Sequence, residues 1–475
     1  MALFFLCVAL LIGGYFVYGS LVDRIFGADA GHAVPSQSMA DGVDYVPMPT
    51  WKVFLIQLLN IAGLGPIFGP ILGALYGPSA LLWIVAGSIF AGAVHDYFSG
   101  MLSVRSNGES VPNIVGRELG PAFKQFMNGF SVILLLLVGV VFVLGPGKLL
   151  STLTGWPVTA WVFAIFGYYF LATILPIDKI IGRLYPLFGA LLLFMSISLT
   201  IMILVSPEHH VLPQGLDLAN AHPKNLPIWP LMFITIACGA ISGFHATQSP
   251  LMARCLMNEK NGRFVFYGAM IGEGIIALIW ATLSMSFYDS SAALGAAIAK
   301  GSPSGVVNEI ATALLGGGIG TTLAVLGVVI LPITSGDTAF RAARLTIAEF
   351  LKAPQKDAVK RLIIAVPLFA IGYVISLGDF NIIWRYFGWA NQTLAMVMLW
   401  AAAAYLIKRG KLHWICTIPA TFMTAVTFAY ISAEKIGFSL PYDVANWIGI
   451  AAAAVAFGAF FYAFGRKHAG KAPAE

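Results

Sequence analysis

Apolar residues run along this chain in long blocks separated by short polar or basic stretches. The blocks fall at 1–22, 51–77, 78–104, 125–146, 157–176, 184–206, 228–250, 264–288, 316–340, 360–377, 383–407, 411–432 and 442–465. A helix needs about 20 apolar residues to cross a bilayer, so the pattern predicts thirteen transmembrane helices, with Gly77-Pro78 parting the second from the third. The second block is interrupted. Between Asn60 and Gly73 it carries Gly63, Gly65, Pro66, Gly69 and Pro70. Inside a helix Gly costs roughly 1 kcal/mol and Pro roughly 3 kcal/mol against Ala, and each Pro removes a backbone donor. A helix broken at membrane depth is tolerated only where the freed groups are buried in protein or line a wet cavity. In transporters such breaks build the substrate and ion site. The plainer reading is a kinked helix whose small residues allow a close helix contact.

A second interruption lies in the seventh block, Ala237-Cys-Gly-Ala-Ile-Ser-Gly-Phe-His-Ala-Thr-Gln-Ser-Pro250. Gly239, Gly243 and Pro250 weaken the helix, while Ser242, His245, Thr247 and Gln248 bring polar groups to membrane depth. The two broken spans start on opposite sides and stand five spans apart. The blocks therefore divide into units at 51–206 and 228–407, an inverted-topology repeat with a discontinuous first helix in each half. Substrate is expected between 62–70 and 239–248, where the positive end of a half-helix favours a carboxylate.

Composition supports the membrane assignment, with 59% hydrophobic and 10% charged residues, against about 25% charged in soluble domains. The net charge of +6 does not point to nucleic acid, because the cations sort by loop. One side collects Arg24, Arg105, Arg117, Lys124, Lys179, Arg183, Arg254, Lys260, Arg263, Arg341, Arg344, Lys352, Lys356, Lys360, Arg361, Lys408, Arg409, Lys411 and the tail at 466–475. The other holds Lys148, Lys224, Lys300 and Lys435. The basic side is cytoplasmic by the positive-inside rule, which places the N-terminus outside and the C-terminus inside. Residues 1–22 lack a basic leader and a cleavage site, and read as a retained extra span. The loop 23–50 is a cytoplasmic excursion, and 207–227 is external. Residues 289–315 would form short external helices, and 341–361 an interfacial basic helix facing anionic lipid. Spans 411–465 and the first would be scaffold or an oligomer contact. Cys7, Cys238, Cys255 and Cys416 show no CxxC spacing and form no disulfide frame.

Ionisable residues inside spans are functional hypotheses by default. His95 and Asp96 lie toward the inner end of the third span, with Ser88, Gly92, His95 and Ser99 on one face. They read equally as a proton relay or gate and as a structural pair anchoring the broken helices. Glu273, between Gly272 and Gly274, could carry a proton when buried. A metal held by His95, Asp96 and His245 has suitable ligand types but no ligand spacing, so no metal or other cofactor is expected. Arg385 either attracts an anionic substrate or snorkels to the interface, and Asn391, Gln392 and Thr393 face the centre. No HExxH or GxSxG motif suggests an enzyme, and no TVGYG-type filter suggests a channel.

The runs Asp41-Gly-Val-Asp-Tyr-Val-Pro47, Ala62-Gly-Leu-Gly-Pro-Ile-Phe-Gly-Pro70, Phe90-Ala-Gly-Ala-Val-His-Asp96 and Gly239–Pro250 closely resemble the carbon starvation protein A family. That resemblance spans most of the chain. It implies the amino acid–polyamine–organocation superfamily, with its five-plus-five (LeuT-like) inverted repeat, and uptake of peptides or of a short carboxylate such as pyruvate. Thr334-Ser335 followed by Asp337 is similar to the sodium site of related carriers of this fold. Sodium would take the two hydroxyls with carbonyls freed at the second-span break, whereas Asp337 and Arg341 could simply pair at i,i+4. The absence of a central lysine in the sixth span favours sodium, and the family's pyruvate carriers favour the proton, so both coupling ions stand. Alternating access would rock spans 2, 3, 7 and 8 against the remaining repeat helices. A channel or a nutrient sensor on the same fold is the rival reading.

Overall fold

The structure is a computed structural model that describes residues 2–174, 177–206, 215–355 and 357–465. Among these every regular element is helical. The first span is α1 (Ala2–Phe16) with α2 (Tyr18–Phe26), followed by a short α3 (Pro35–Ser38). The second is α4 (Thr50–Ile61) and α5 (Gly65–Gly73), and the third is α6 (Ser79–Gly87) and α7 (Ala93–Val104). After α8 (Val111–Leu119) come α9 (Pro121–Thr154), α10 (Val158–Ile174) and α11 (Ile177–Val205). The seventh span is α12 (Ile228–Ile236) and α13 (Gly243–Ala253), followed by α14 (Gly268–Phe287), α15 (Ser291–Leu315) and α16 (Ile319–Leu351). The bundle ends with α17 (Ala358–Ser376), α18 (Phe380–Ile407), α19 (Trp414–Ala433) and α20 (Tyr442–Phe460).

Eleven of the described helices are long and apolar enough to cross a membrane, or twelve with the bent pair Thr50–Ile61 and Gly65–Tyr76. The apolar block at 157–176 folds as the shorter helix Val158–Ile174. The chain is thus a multi-pass membrane protein. Its outer helices turn large apolar side chains outward, as lipid as solvent allows: Trp447 is 71% exposed and Ile363 66%. Helix α18, by contrast, is enclosed over its hydrophobic length.

Both sequence interruptions break their helices. Between α4 and α5 the axis bends by 48°, and Ala62 leaves the helical region at ψ 59°. Between α12 and α13 a 3-10 turn at Ala237–Gly239 is followed by an extended Ser242 at φ −147°, ψ 122°. The two broken spans cross antiparallel, since α5 packs on α12 while α4 packs on α13.

Several expectations are corrected. Residues 341–351 are not an interfacial helix: α16 continues without a stop from Ile319 to Leu351, and Arg341 and Arg344 are buried. Helix packing there outcompetes the lipid surface. The stretch 291–315, by contrast, agrees with the expectation of short helices: two of them meet at a break at Ser302, where φ is 58° and ψ 177°. Asp337 and Arg341 do not pair. Arg341 turns instead to the carbonyl of Ala172 at 3.1 Å and toward Asp44 at 3.7 Å. Arg385 meets Glu434 at 3.3 Å. The tail 466–475 and residues 207–214 of the external loop lie outside the described residues.

The sorting of cations has a structural counterpart. Arg105 Nε donates to Glu259 at 2.6 Å, Arg254 Nη2 to Glu349 at 2.8 Å, Lys408 Nζ to the Glu118 carbonyl at 2.7 Å and Lys411 Nζ to the Phe26 carbonyl at 2.5 Å. Residues assigned to the basic side therefore meet at one end of the bundle. The 23–50 segment docks there as well, through Ser36 on the Leu256 carbonyl (2.6 Å) and Met48 N on the Cys255 carbonyl (3.1 Å).

Candidate functional site

The crossing of the two broken spans brings most of the expected substrate residues together. Gly65 lies against Cys238 and Gly63 against the ring of Phe142. Gly69 faces the carbonyls of Thr235 and Ile236, and Pro70 touches Gly239. Pro66, Gly239, Ser242, Gly243, His245 and Gln248 are all buried in the same region. A side chain at Gly243 would collide with the backbone of Asn391 and Ala395 on α18, so only glycine lets these helices approach.

The backbone groups freed by the second break are taken up by side chains. Ser88 Oγ donates to the Gly239 carbonyl at 3.1 Å, and Gln392 Nε2 to the Ile241 carbonyl at 2.8 Å. At the start of α13 the amide of Phe244 donates to Asn391 Oδ1 at 2.6 Å, and Ser242 Oγ donates to the same oxygen at 3.1 Å. Asn391, three turns into α18, thus caps the half-helix whose free amides would otherwise attract an anion. Sequence reasoning placed Asn391 at the centre without this role. Its position in an otherwise apolar block was the available signal.

Behind the break a chain of ionisable side chains crosses three helices. His95 Nδ1 lies 2.8 Å from Asp96 Oδ1, His245 Nδ1 2.9 Å from Asp96 Oδ2, and His245 Nε2 3.2 Å from Glu273 Oε2. All four side chains are fully buried. An ionised carboxylate only accepts hydrogen bonds, so an ionised Asp96 holds hydrogen on Nδ1 of both rings. His245 then meets Glu273 through Nε2. The 3.2 Å approach lacks hydrogen-bond alignment: Nε2 and both Glu273 oxygens remain without a partner among the described residues, as does His95 Nε2. A proton placed between Nε2 and Oε2 would bridge the two helices. Without it, a neutral ring and a carboxylate would face each other with lone pairs. The two histidines reach Asp96 along separate oxygens and do not converge on one point. No group of three or more His, Cys, Asp or Glu among the described residues is placed to hold a metal.

A second polar layer escaped sequence reasoning. Ser249 Oγ receives Ser99 Oγ at 3.2 Å and Gln57 Nε2 at 3.5 Å, tying α13 to α7 and α4. Gln57 was legible as a polar residue inside an apolar block. In the expected sodium region Ser335 Oγ donates to the Leu59 carbonyl at 3.0 Å, one turn before the first break. Thr334 bonds back to the Leu331 carbonyl at 2.8 Å. Asp337 is buried nearby on the same helix, with Oδ2 unpartnered.

Two cavities open at the end opposite the basic cluster. One of about 570 Å³ is lined by Gly77, Asp217, Ser284 and Tyr288. Another, about 210 Å³, is lined by Tyr76, His222, Trp384, Arg385 and Glu434. Trp384 packs against Phe68 of α5, with ring centres 5.9 Å apart. Burial and then the neighbouring Lys224 push His222 below the usual imidazole range, so it is neutral at neutral pH.

Comparison with known proteins places this geometry. The family model described as carbon starvation protein CstA matches residues 1–159, 146–312 and 290–430. An uncharacterized membrane protein of Haemophilus influenzae is 50% identical over 349 residues, 63% of this chain and 94% of that protein. The peptide transporter CstA of Escherichia coli is 24% identical over a 574-residue alignment, covering 91% of this chain and 81% of that one. The pyruvate/proton symporter BtsT of Escherichia coli is 28% identical over 323 residues, 54% of this chain and 45% of that protein. In fold the chain is similar to Mhp1, a nucleobase-cation-symport-1 family transporter in a closed conformation. The TM-score is 0.56 at 14% identity, covering 90% of this chain and 97% of that one.

Proposed function

The chain belongs to the carbon starvation protein CstA family, and on that premise we propose that it is a secondary active transporter that imports peptides, or a short carboxylate such as pyruvate, by proton-coupled alternating access. The observation that carries the coupling is the buried sequence His95–Asp96–His245–Glu273, which joins α7, the broken span and α14. Protonation of the His245–Glu273 pair draws α13 and α14 together, and loss of the proton sets lone pair against lone pair and loosens them. Substrate binds at the crossing, its carboxylate replacing Asn391 at the amide of Phe244, with Ser242 and Gln248 beside it. Binding and protonation thus act on adjacent residues, Phe244 and His245, at the N-terminal end of one short helix. The antiparallel crossing of the broken spans supports a five-plus-five inverted repeat. The basic end, by the positive-inside rule, faces the cytoplasm. The peptide and pyruvate substrates of the relatives support the substrate class.

The Ser335–Leu59 contact favours a second reading, sodium coupling, in which Thr334 and Ser335 with the carbonyls at the first break cage the ion and Asp337 adds charge. Uptake into proteoliposomes decides between them. Labelled di- and tripeptides and pyruvate are offered under separately imposed proton and sodium gradients. Saturable accumulation under the proton gradient alone is the expected result. Accumulation driven only by sodium replaces the ion, and flux that never saturates would favour a channel.

A further inference from the structure

The basic end of α16 holds a group of buried cations that the transport cycle above does not use. Arg254, Arg341, Arg344 and Arg361 are all 5% exposed or less. Arg344 lies within electrostatic range of the other three and of Asp44, and Asp337 within range of Arg341 and Arg344. A guanidinium stays charged at any working pH, so each of these needs an acceptor. Arg254 is supplied: it donates to Glu349 and to the Gly108 carbonyl, both at 2.8 Å. Glu349 is also taken up, by Ser110 and Asn113. Arg341 and Arg361 each place one Nη2 on a backbone carbonyl, of Ala172 and Ile174, at 3.1 Å. Arg344 reaches the side-chain oxygen of Gln355.

Five guanidinium nitrogens remain without an acceptor among the described residues: Nε and Nη1 of Arg341, Nη2 of Arg344, and Nε and Nη1 of Arg361. Asp44 stands 3.7 Å from Arg341, beyond hydrogen-bond distance. Among the described residues, the four guanidinium groups thus share three near carboxylates, Asp44, Asp337 and Glu349. Water can fill empty hydrogen-bond positions but does not cancel a buried surplus charge.

We propose that this arginine cluster is an anion site that takes one small carboxylate. The charge surplus fits a single monovalent anion, and planar guanidinium forks match the two oxygens of a carboxylate better than a spherical ion. The site is separate from the crossing of the broken spans, and its existence does not depend on which ion drives transport. The carboxylate could be a substrate leaving the protein or a resident metabolite, and the two share this chemistry.

The test is a thermal unfolding titration of the purified protein with acetate, pyruvate or chloride, at fixed ionic strength with HEPES as the replaced anion. The midpoint is expected to rise saturably with either carboxylate, with half-saturation at least tenfold below that for chloride. Stronger stabilisation by pyruvate than by acetate would identify a substrate on its way out, and equal effects a resident carboxylate. Arg344→Gln removes a cation that has no carboxylate within bonding distance. The variant should lose the response while unfolding no earlier than the parent in HEPES alone, because an uncompensated buried charge has gone. Arg361→Gln, read the same way, serves if the first variant does not fold. No response in the unsubstituted protein overturns the site, as does an equal response to chloride or an unchanged response in the variants. Parallel uptake measurements keep this result apart from transport: saturable uptake without any anion response removes this site alone.

Discussion

Asp96 on α7 and His245 on α13, 149 positions apart in the chain, meet at 2.9 Å with neither side chain exposed. Asp96 holds His95 on its other oxygen, so it orients both rings. Asp96→Asn keeps the shape but turns one acceptor oxygen into a donor. Breaking a buried charged pair typically costs about 3–5 kcal/mol. The variant should unfold several degrees earlier in detergent and lose accumulation. A variant as stable and active as the parent would remove Asp96 from the site.

Glu273 faces His245 Nε2 at 3.2 Å without a settled hydrogen bond. Glu273→Gln preserves the volume but cannot release a proton. Proton-driven accumulation should be abolished, while exchange of labelled for unlabelled substrate across liposomes without a gradient persists. Loss of both activities together would assign Glu273 to structure or binding instead of coupling.

Asn391 caps the amide of Phe244 and the hydroxyl of Ser242. Asn391→Ala leaves a buried donor unsatisfied, at about 1–3 kcal/mol. Asn391→Asp retains the accepting oxygen. Thermal unfolding should show a large drop for the first and a smaller one for the second. If substrate carboxylate takes the Phe244 amide, peptide or pyruvate should recover more of the lost stability in Asn391→Ala than in the parent.

Gly243→Ala drives a methyl into the backbone of α18, whereas Gly129→Ala on α9 meets nothing within 4 Å. The first should prevent correct folding, seen as loss of a monodisperse peak in size-exclusion chromatography. The second should be neutral or gain up to about 1 kcal/mol from helix propensity. Equal behaviour of the two variants would contradict the close approach of α13 and α18.

Ser335 Oγ sits on the Leu59 carbonyl. Ser335→Ala should leave proton-driven uptake within about twofold of the parent, the loss of one ordinary hydrogen bond being about 1 kcal/mol or less. A specific loss of sodium stimulation in the same liposomes would instead establish the sodium reading.

The sequence by itself determined the membrane class, the places of the apolar blocks and the two helix breaks. These follow from local physics: long apolar runs need lipid, and clustered Gly and Pro cannot continue a helix whatever surrounds them. Motif resemblance carried the family. The cost of polar groups at membrane depth singled out His95, Asp96, His245 and Glu273, but not that they form one chain, because their order in space depends on how α7, α13 and α14 pack. Only the tertiary structure decided that Asn391 caps α13, that Gln57 joins Ser249, and that Arg341 parts from Asp337. It also buried Arg344 and Arg361, which the sequence assigned to a lipid-facing surface. A run of cations looks the same in sequence whether it meets headgroups or protein, and the difference lies in which helices close over it.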